Sequence, residues 1–257
     1  MRPPDFRARL LRREAVVGTF IKTPSSHTTE VVASAGLDFV IIDQEHGPFD
    51  RVTTDRALLA ARGAGVPALV RVPSADPAGI LAALDDGATG ILVPHIANAE
   101  AARAIVRAAR YGGGRRGFSN TTRAGGYGGA GVWEHVHACD AGTVVLAAIE
   151  DPEALECLDD IARVDGLDGF FIGRGDLTVS LGAQSPQSAP VRSAAERIAA
   201  AAVAHGKPVC AHVGTLSADE VTWLRAIGVS LFVVASDQGL LRQAASSVAA
   251  GFASLIR

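Results

Sequence analysis

Residues 144–176, VVLAAIEDPEALECLDDIARVDGLDGFFIGRGD, decide the fold. The apolar run Val144–Ile149 has neither the alternation of a half-exposed strand nor a helical period, as expected of a strand buried on both faces of a parallel sheet. It ends in Glu150 and Asp151, and Pro152 then stands at a first helical position. A second apolar run, Gly169–Ile172, follows the helical stretch and ends in Gly173, Arg174, Gly175 and Asp176. The segment therefore reads as strand, polar end, helix, strand, polar end. Working outward, the same run recurs at Val16–Ile21, Phe39–Ile42, Ala68–Val72, Gly90–Val93, Val209–Ala211 and Leu231–Ala235, for eight candidate strands in all. Helix starts lie between them, at Asn98 before Ala99 and Glu100, and at Ser217 with Glu220 three residues on. Eight strand–helix units predict a (β/α)₈ barrel, α/β in class, as one domain over residues 1–257. The stretch Asp5–Arg13 adds an N-terminal helix that closes the bottom of the barrel.

Composition narrows the function. The 257 residues are 48% hydrophobic and 20% charged, with 28 glycines and a net charge of −3, which leaves no electrostatic footprint for nucleic acid or an anionic membrane. The longest uncharged apolar stretch, residues 226–236, is about half of a membrane span. Arg12, Arg13 and Glu14 interrupt any secretory signal, so a cytoplasmic enzyme is expected. Cys139, Cys157 and Cys210 are far apart and form no C-x-x-C pair, so neither a disulfide framework nor a zinc knuckle is indicated. Lys22 and Lys207 are the only lysines, which restricts Schiff-base chemistry to two amines.

A barrel carries its chemistry at the C-terminal ends of its strands. Asp43, Glu45, His46, Arg71, His95, Glu150, Asp151, Asp176, His212, Ser236 and Asp237 all fall there. Glu150 and Asp176, on adjacent strand ends, present two hard oxygen donors to one point, as a divalent cation requires; the same residues would also serve as helix caps. His46 follows two acidic residues and suits a general base oriented by a carboxylate, or else a buried histidine bonded to a backbone carbonyl. Arg71 within an apolar run implies an anion for it to meet, and a substrate is the reading favoured. Two connections are long: Tyr111–Val132, rich in Gly and Arg and read as a mobile active-site loop, and the polar Gly182–Pro190. The glycines at 126, 128 and 131 have no preceding strand and carry no dinucleotide signal, and His135 and His137 lie in a helical stretch rather than on a strand.

Five strings together, GLDFVIIDQEHGPFD (36–50), VRVPSADP (70–77), GILVPHIANAEAAR (90–103), AIEDPEALECLDDIARVDGLDGFFIG (148–173) and GDLTVSLG (175–182), resemble the HpcH/HpaI aldolase family from about Gly18 to the C-terminus. The resemblance implies a (β/α)₈ barrel assembled as a homo-oligomer, a hexamer or trimer, with the last helix exchanged between neighbours. It implies a divalent metal, Mg²⁺, Mn²⁺ or Co²⁺, held by Glu150 and Asp176. It further implies a catalytic His46 with Asp43 near it, an enolate-stabilising Arg71, and an Asp85 that reaches the site of a neighbouring subunit. Backbone amides of Gly173–Asp176 would hold a pyruvate carboxylate. The implied reaction cleaves a 4-hydroxy-2-oxo acid to pyruvate and an aldehyde. Related decarboxylation of oxaloacetate, citrate-lyase-like cleavage, or a ligand-binding barrel without activity are the alternatives. The chain departs from the family pattern at Ala148, where glutamine is common, and at Arg174 and Gly175, where Pro-Ala is common. It also departs at His95 and His212, where apolar residues are more usual. Arg174, Arg123, His95 and His212 are therefore expected to bind the acceptor half of a 2-oxo acid substrate, with Arg174 contacting its carboxylate.

Overall fold

The computed structural model describes residues 3–256, with side chains from Asp5 onward. Eight parallel strands close into a barrel in chain order: β1 (Val16–Ile21), β2 (Phe39–Asp43), β3 (Ala68–Arg71), β4 (Gly90–Val93), β5 (Val144–Ile149), β6 (Gly169–Ile172), β7 (Val209–Val213) and β8 (Val229–Ser236). β8 pairs with β1 to complete the ring. The strands are apolar on both faces because one face fills the barrel and the other packs under helices. No helix among the described residues is long and apolar enough to cross a membrane.

Alternation of side chains along each strand sorts residues between these two layers. Phe39 and Ile41, Leu69, Leu92, Val144, Leu146 and Ala148, Phe171, Cys210, and Leu231 and Val233 fill the barrel. One step further at the same parity come Asp43, Arg71, Glu150 and His212. The inward face of the strands thus changes from apolar to polar within two residues at the rim.

The N-terminal helix, Pro3–Leu11, closes the other end with Phe6 and Leu10, both fully buried. Phe6 meets Phe39 with ring centroids 5.5 Å apart. Gly18 on β1 is required there, since a Cβ would lie 2.6 Å from the Phe39 carbonyl oxygen and 2.8 Å from its ring. Arg7 anchors the helix through Asp168 at 2.6 and 3.0 Å.

The segment Tyr111–Val132 is not part of the functional rim. It follows the helix Ala99–Ala109 and leads, through Val132–Gly142, into the start of β5, so it lies at the N-terminal end of the barrel. It is built around a 3₁₀ turn, Arg123–Gly128, with Gly126 and Tyr127 in the left-handed region. Its glycines serve this turn rather than an active-site lid. The Gly182–Pro190 connection does reach the rim, where Pro186 and Gln187 line the central cleft.

Candidate active site

Asp43 ends β2 and is the register partner of Arg71 on β3. The fully buried carboxylate accepts two parallel bonds from that guanidinium, Nε at 2.8 Å and Nη2 at 2.6 Å. Burial alone would push Asp43 up, but the hydrogen bonds and charge of Arg71, aided by the His46 amide and Lys22, hold it below the ordinary carboxylate range. Lys22 at the end of β1 places its ammonium 3.4 Å from the same carboxylate. Arg71 also reaches Glu45 at 3.1 Å and lies over the Phe20 ring at 4.6 Å. The anions that Arg71 implied are thus in the protein, and a substrate would meet a guanidinium already held flat by them.

His46 stands at the mouth of the cleft with about half its side chain exposed. Asp43 does not orient its ring, because Asp43 Oδ1 accepts from the backbone N–H groups of Glu45 and His46, each at 3.2 Å. The carboxylate beside the ring is Glu45, 3.7 Å from Nε2. Two residues separate Asp43 from the histidine, and the turn between them presents amides inward.

Across the barrel, Glu150 follows β5 and is 4% exposed. Its Oε1 accepts the His95 backbone N–H at 2.9 Å. Its other oxygen presses on Gly173, where a Cβ would come within 2.3 Å of Oε2, so only glycine fits there. Burial, and after it the nearby negative charge of Asp176, push the Glu150 carboxyl above its usual range. Asp176 sits exposed in the first turn of the helix Arg174–Ser180 and lines the same cleft. The Gly173 amide is spent on the Ile149 carbonyl at 3.1 Å, which leaves the first-turn amides of residues 174–176 facing outward from the helix start. Among the described residues no Lys or Arg ion-pairs with Glu150, whose charged neighbour is the His95 imidazole at 3.7 Å. A buried carboxylate with no Lys or Arg partner, sharing a cleft with a second one, could hold a divalent cation. Glu45, His95 and Glu150 also bring donor atoms within 4.8 Å of one another.

His212, inward on β7, lies against the Phe20 ring with centroids 5.8 Å apart. Burial, and the charges of Arg174, Lys22 and Arg71, keep its imidazole below the ordinary histidine value, hence neutral. Ala235 has φ of 53° beside a break in the β1–β8 register, and His95 has φ of 55°. Ala235 lines the cleft and His95 donates its backbone N–H to Glu150 there, at a site where strain is most often tolerated.

Three residues expected at a substrate are engaged by partners within the chain, Arg174 at the cleft wall and Arg123 and Asp85 away from it. Arg174 is 6% exposed and turns back between β6 and β7, pairing with Glu220 and donating to the His212 carbonyl at 2.6 Å, with Trp223 at 5.6 Å. Its charge is thus matched within the protein, although the residue lines the cleft wall. Ser217 caps its helix through the Glu220 amide, but the Glu220 side chain leaves the cap for Arg174. Arg123 bonds Asp55 at 2.5 Å and packs over Gly87, below β3 and β4. Asp85 ends its helix paired with Arg116 at 2.9 Å. Within one chain, Arg123 and Asp85 therefore lie at the opposite end of the barrel from Glu150. Sequence reading placed Glu45 on the rim and named Lys22 as one of two lysines without giving either a role at the site, and it missed Phe20. Glu45 was visible only as one of several acids after β2.

The cleft lined by Phe20, Lys22, His46, Arg71, Glu150 and Asp176 measures about 670 Å³. Residues 17–254 match the model of the HpcH/HpaI aldolase/citrate lyase family. The chain is 37% identical over 252 residues to a protein of Rhizobium etli named pyruvate aldolase, covering 96% of this chain and 97% of that one. It is 33% identical over 254 residues to the 5-keto-4-deoxy-D-glucarate aldolase of Enterobacter sp. strain 638, covering 97% of each. A family protein from Burkholderia cenocepacia superposes with a TM-score of 0.90 at 28% identity, over 97% of this chain and 99% of that one. A closed parallel barrel with acids and arginine at its C-terminal rim, matched over nearly its whole length, makes this chain a carbon–carbon lyase of the HpcH/HpaI aldolase family.

Proposed function

We propose that the protein is a metal-dependent aldolase that cleaves a 4-hydroxy-2-oxo acid reversibly to pyruvate and an aldehyde, working in the cytoplasm. The observation that carries this reading is the buried Glu150, with Asp176 beside it and no guanidinium or ammonium to neutralise it, facing the Asp43–Arg71 pair across one cleft. Glu150 and Asp176 would hold a divalent cation such as Mg²⁺, Mn²⁺ or Co²⁺, which when bound polarises the 2-oxo group of the substrate.

The chain's own groups supply the rest. The first-turn amides after Gly173 receive the substrate carboxylate. Arg71, fixed bidentately by Asp43, directs its remaining N–H toward the oxygen that becomes the enolate oxygen. His46 takes the proton of the 4-hydroxyl, and Glu45 at 3.7 Å steadies the resulting imidazolium. As that hydroxyl becomes the aldehyde carbonyl, the C3–C4 bond breaks. Its electron pair passes into the pyruvate enolate, and the proton held by His46 is returned to C3, which restores the neutral imidazole. Lys22 is committed to Asp43 as an ion pair and has no part in a Schiff base. The same enolate chemistry serves oxaloacetate decarboxylation or citrate-lyase-like cleavage, and the family's description spans aldolase and citrate lyase.

A homo-oligomer, hexamer or trimer, accompanies this reading. The last helix, Asp237–Leu255, exposes Leu241, Val248, Phe252 and Leu255, each by more than 60%, as an exchanged helix would. A second copy is also what would bring Asp85 and Arg123 to a cleft.

The test is pyruvate release from hydroxy-oxo acids, coupled to lactate dehydrogenase, before and after chelation. Activity lost in EDTA and restored by Mg²⁺, Mn²⁺ or Co²⁺ is expected. Full turnover of the stripped protein, with borohydride trapping at Lys22, would overturn the proposal.

A further inference from the structure

We infer that His95 is itself a cation ligand, acting with Glu45 and Glu150, and that Asp151 holds its ring for that purpose; this rests on the metal centre proposed above and assigns it a nitrogen donor. His95 follows β4 with φ of 55°, a conformation that costs a non-glycine residue free energy. Two contacts come with it: the backbone N–H turns onto Glu150 Oε1 at 2.9 Å, and the ring is carried over the acids of the rim. Nδ1 of the ring lies 3.1 and 3.2 Å from the two oxygens of Asp151. That pairing places the ring proton on Nδ1 and leaves the Nε2 lone pair unspent, 3.9 Å from Glu45 Oε1. A carboxylate on the far nitrogen is the usual support of a metal-binding histidine.

Asp151 adds independent weight. It precedes the turn Pro152–Glu156 as an N-cap, yet its side chain makes no capping bond there. It serves His95 instead. Donor atoms of Glu45, His95 and Glu150 lie within 4.8 Å of one another, against about 4.2 Å for opposed ligands about 2.1 Å from one ion. Adding an imidazole to carboxylates moves preference along the series from Mg²⁺ toward Co²⁺ and Zn²⁺.

The experiment uses the full-length protein stripped with chelator, titrated calorimetrically with Mg²⁺, Co²⁺ and Zn²⁺, with the Co²⁺ visible spectrum recorded in parallel. The variants are His95→Gly, which tolerates the left-handed backbone, Asp151→Asn and Asp176→Asn. His95→Gly should weaken Co²⁺ and Zn²⁺ at least tenfold and Mg²⁺ less than twofold, and should change the Co²⁺ spectrum. Asp151→Asn should weaken Co²⁺ about tenfold, as loss of a ligand's supporting carboxylate does. Unchanged Co²⁺ and Zn²⁺ affinities and an unchanged spectrum in His95→Gly would overturn the inference. If Asp176→Asn then abolished binding, the Glu150–Asp176 centre would stand without the imidazole. A wild-type protein that bound no cation would overturn both readings.

Discussion

Asp168 and Glu150 are both buried carboxylates at ends of the same barrel, and they are treated in opposite ways. At the N-terminal end, Asp168 receives Arg7 at 2.6 and 3.0 Å, Arg110 at 3.2 Å and the Val145 amide at 2.8 Å. Two guanidinium groups surround one carboxylate there, and the contacts tie the first helix to β5 and β6. At the C-terminal end, Glu150 has one amide at 2.9 Å and an imidazole at 3.7 Å, while Asp176 adds like charge. Charge is balanced where the barrel is closed and left unbalanced where a ligand enters, which separates the end that stabilises the fold from the end that performs chemistry.

The sharpest break of this comparison is an exchange of roles. Glu150→Gln should lower kcat/KM by about 10³-fold or more, the scale of a lost charge-stabilising group, while its metal-free Tm holds or rises. Asp168→Ala should do the reverse, costing about 3–5 kcal/mol in urea unfolding because Arg110 is left buried and unpaired. Equal losses of Tm in the two variants would abolish the distinction.

Arg71 tests the boundary, because it belongs to both categories. Arg71→Ala should lose about 10²- to 10³-fold in kcat/KM and also lower Tm, since the fully buried Asp43 loses its main partner. Unchanged turnover in the folded variant would make the pair purely structural.

The two acids should also respond to pH with opposite signs. The raised Glu150 binds its proton more tightly folded than unfolded, so in metal-free protein its contribution falls as pH rises above its ordinary value of 4.5. The lowered Asp43 contributes stability above its ordinary value of 3.8, and this is lost as pH falls through the lower folded value. Tm measured against pH should show Glu150→Gln gaining on wild type as pH rises above 4.5, with the gap closing in acid. A difference that stayed constant with pH would mean that Glu150 is not perturbed.

The smallest effect on activity concerns Arg174, at the rim but balanced like the closed end. Arg174→Ala should cost about 1–3 kcal/mol of stability, as it strands the carboxylate of Glu220, and should leave the ratio of acidic to neutral substrates unchanged within twofold. A ratio that fell tenfold would return Arg174 to the substrate.

The strands were legible almost to the residue, because a strand buried on both faces is apolar throughout and stops where water begins. β7 and β8 are longer than their apolar runs, since His212 and Ser230 sit within the ladder yet read as ends. Asp43, Arg71 and Glu150 were legible for the same reason: each is the first charged residue at the inward parity of its strand. The Tyr111–Val132 segment was misread because glycine content suggested mobility at the site, although its position before a strand assigns it to the other end.

By itself, the order of apolar runs and polar ends determined a parallel barrel and the rim on which its chemistry lies, because backbone periodicity is local and repeats along the chain. Partners were another matter. Glu220 lies 46 residues beyond Arg174, and His95 is 56 residues before Asp151. Only the closed barrel, which brings β4 beside β5 and β7 beside β6, decided that Arg174 turns inward to Glu220 and that Asp151 leaves its helix cap for His95. A long side chain at a rim has several charged neighbours within reach, and its choice among them depends on distances that exist only after the ring has closed.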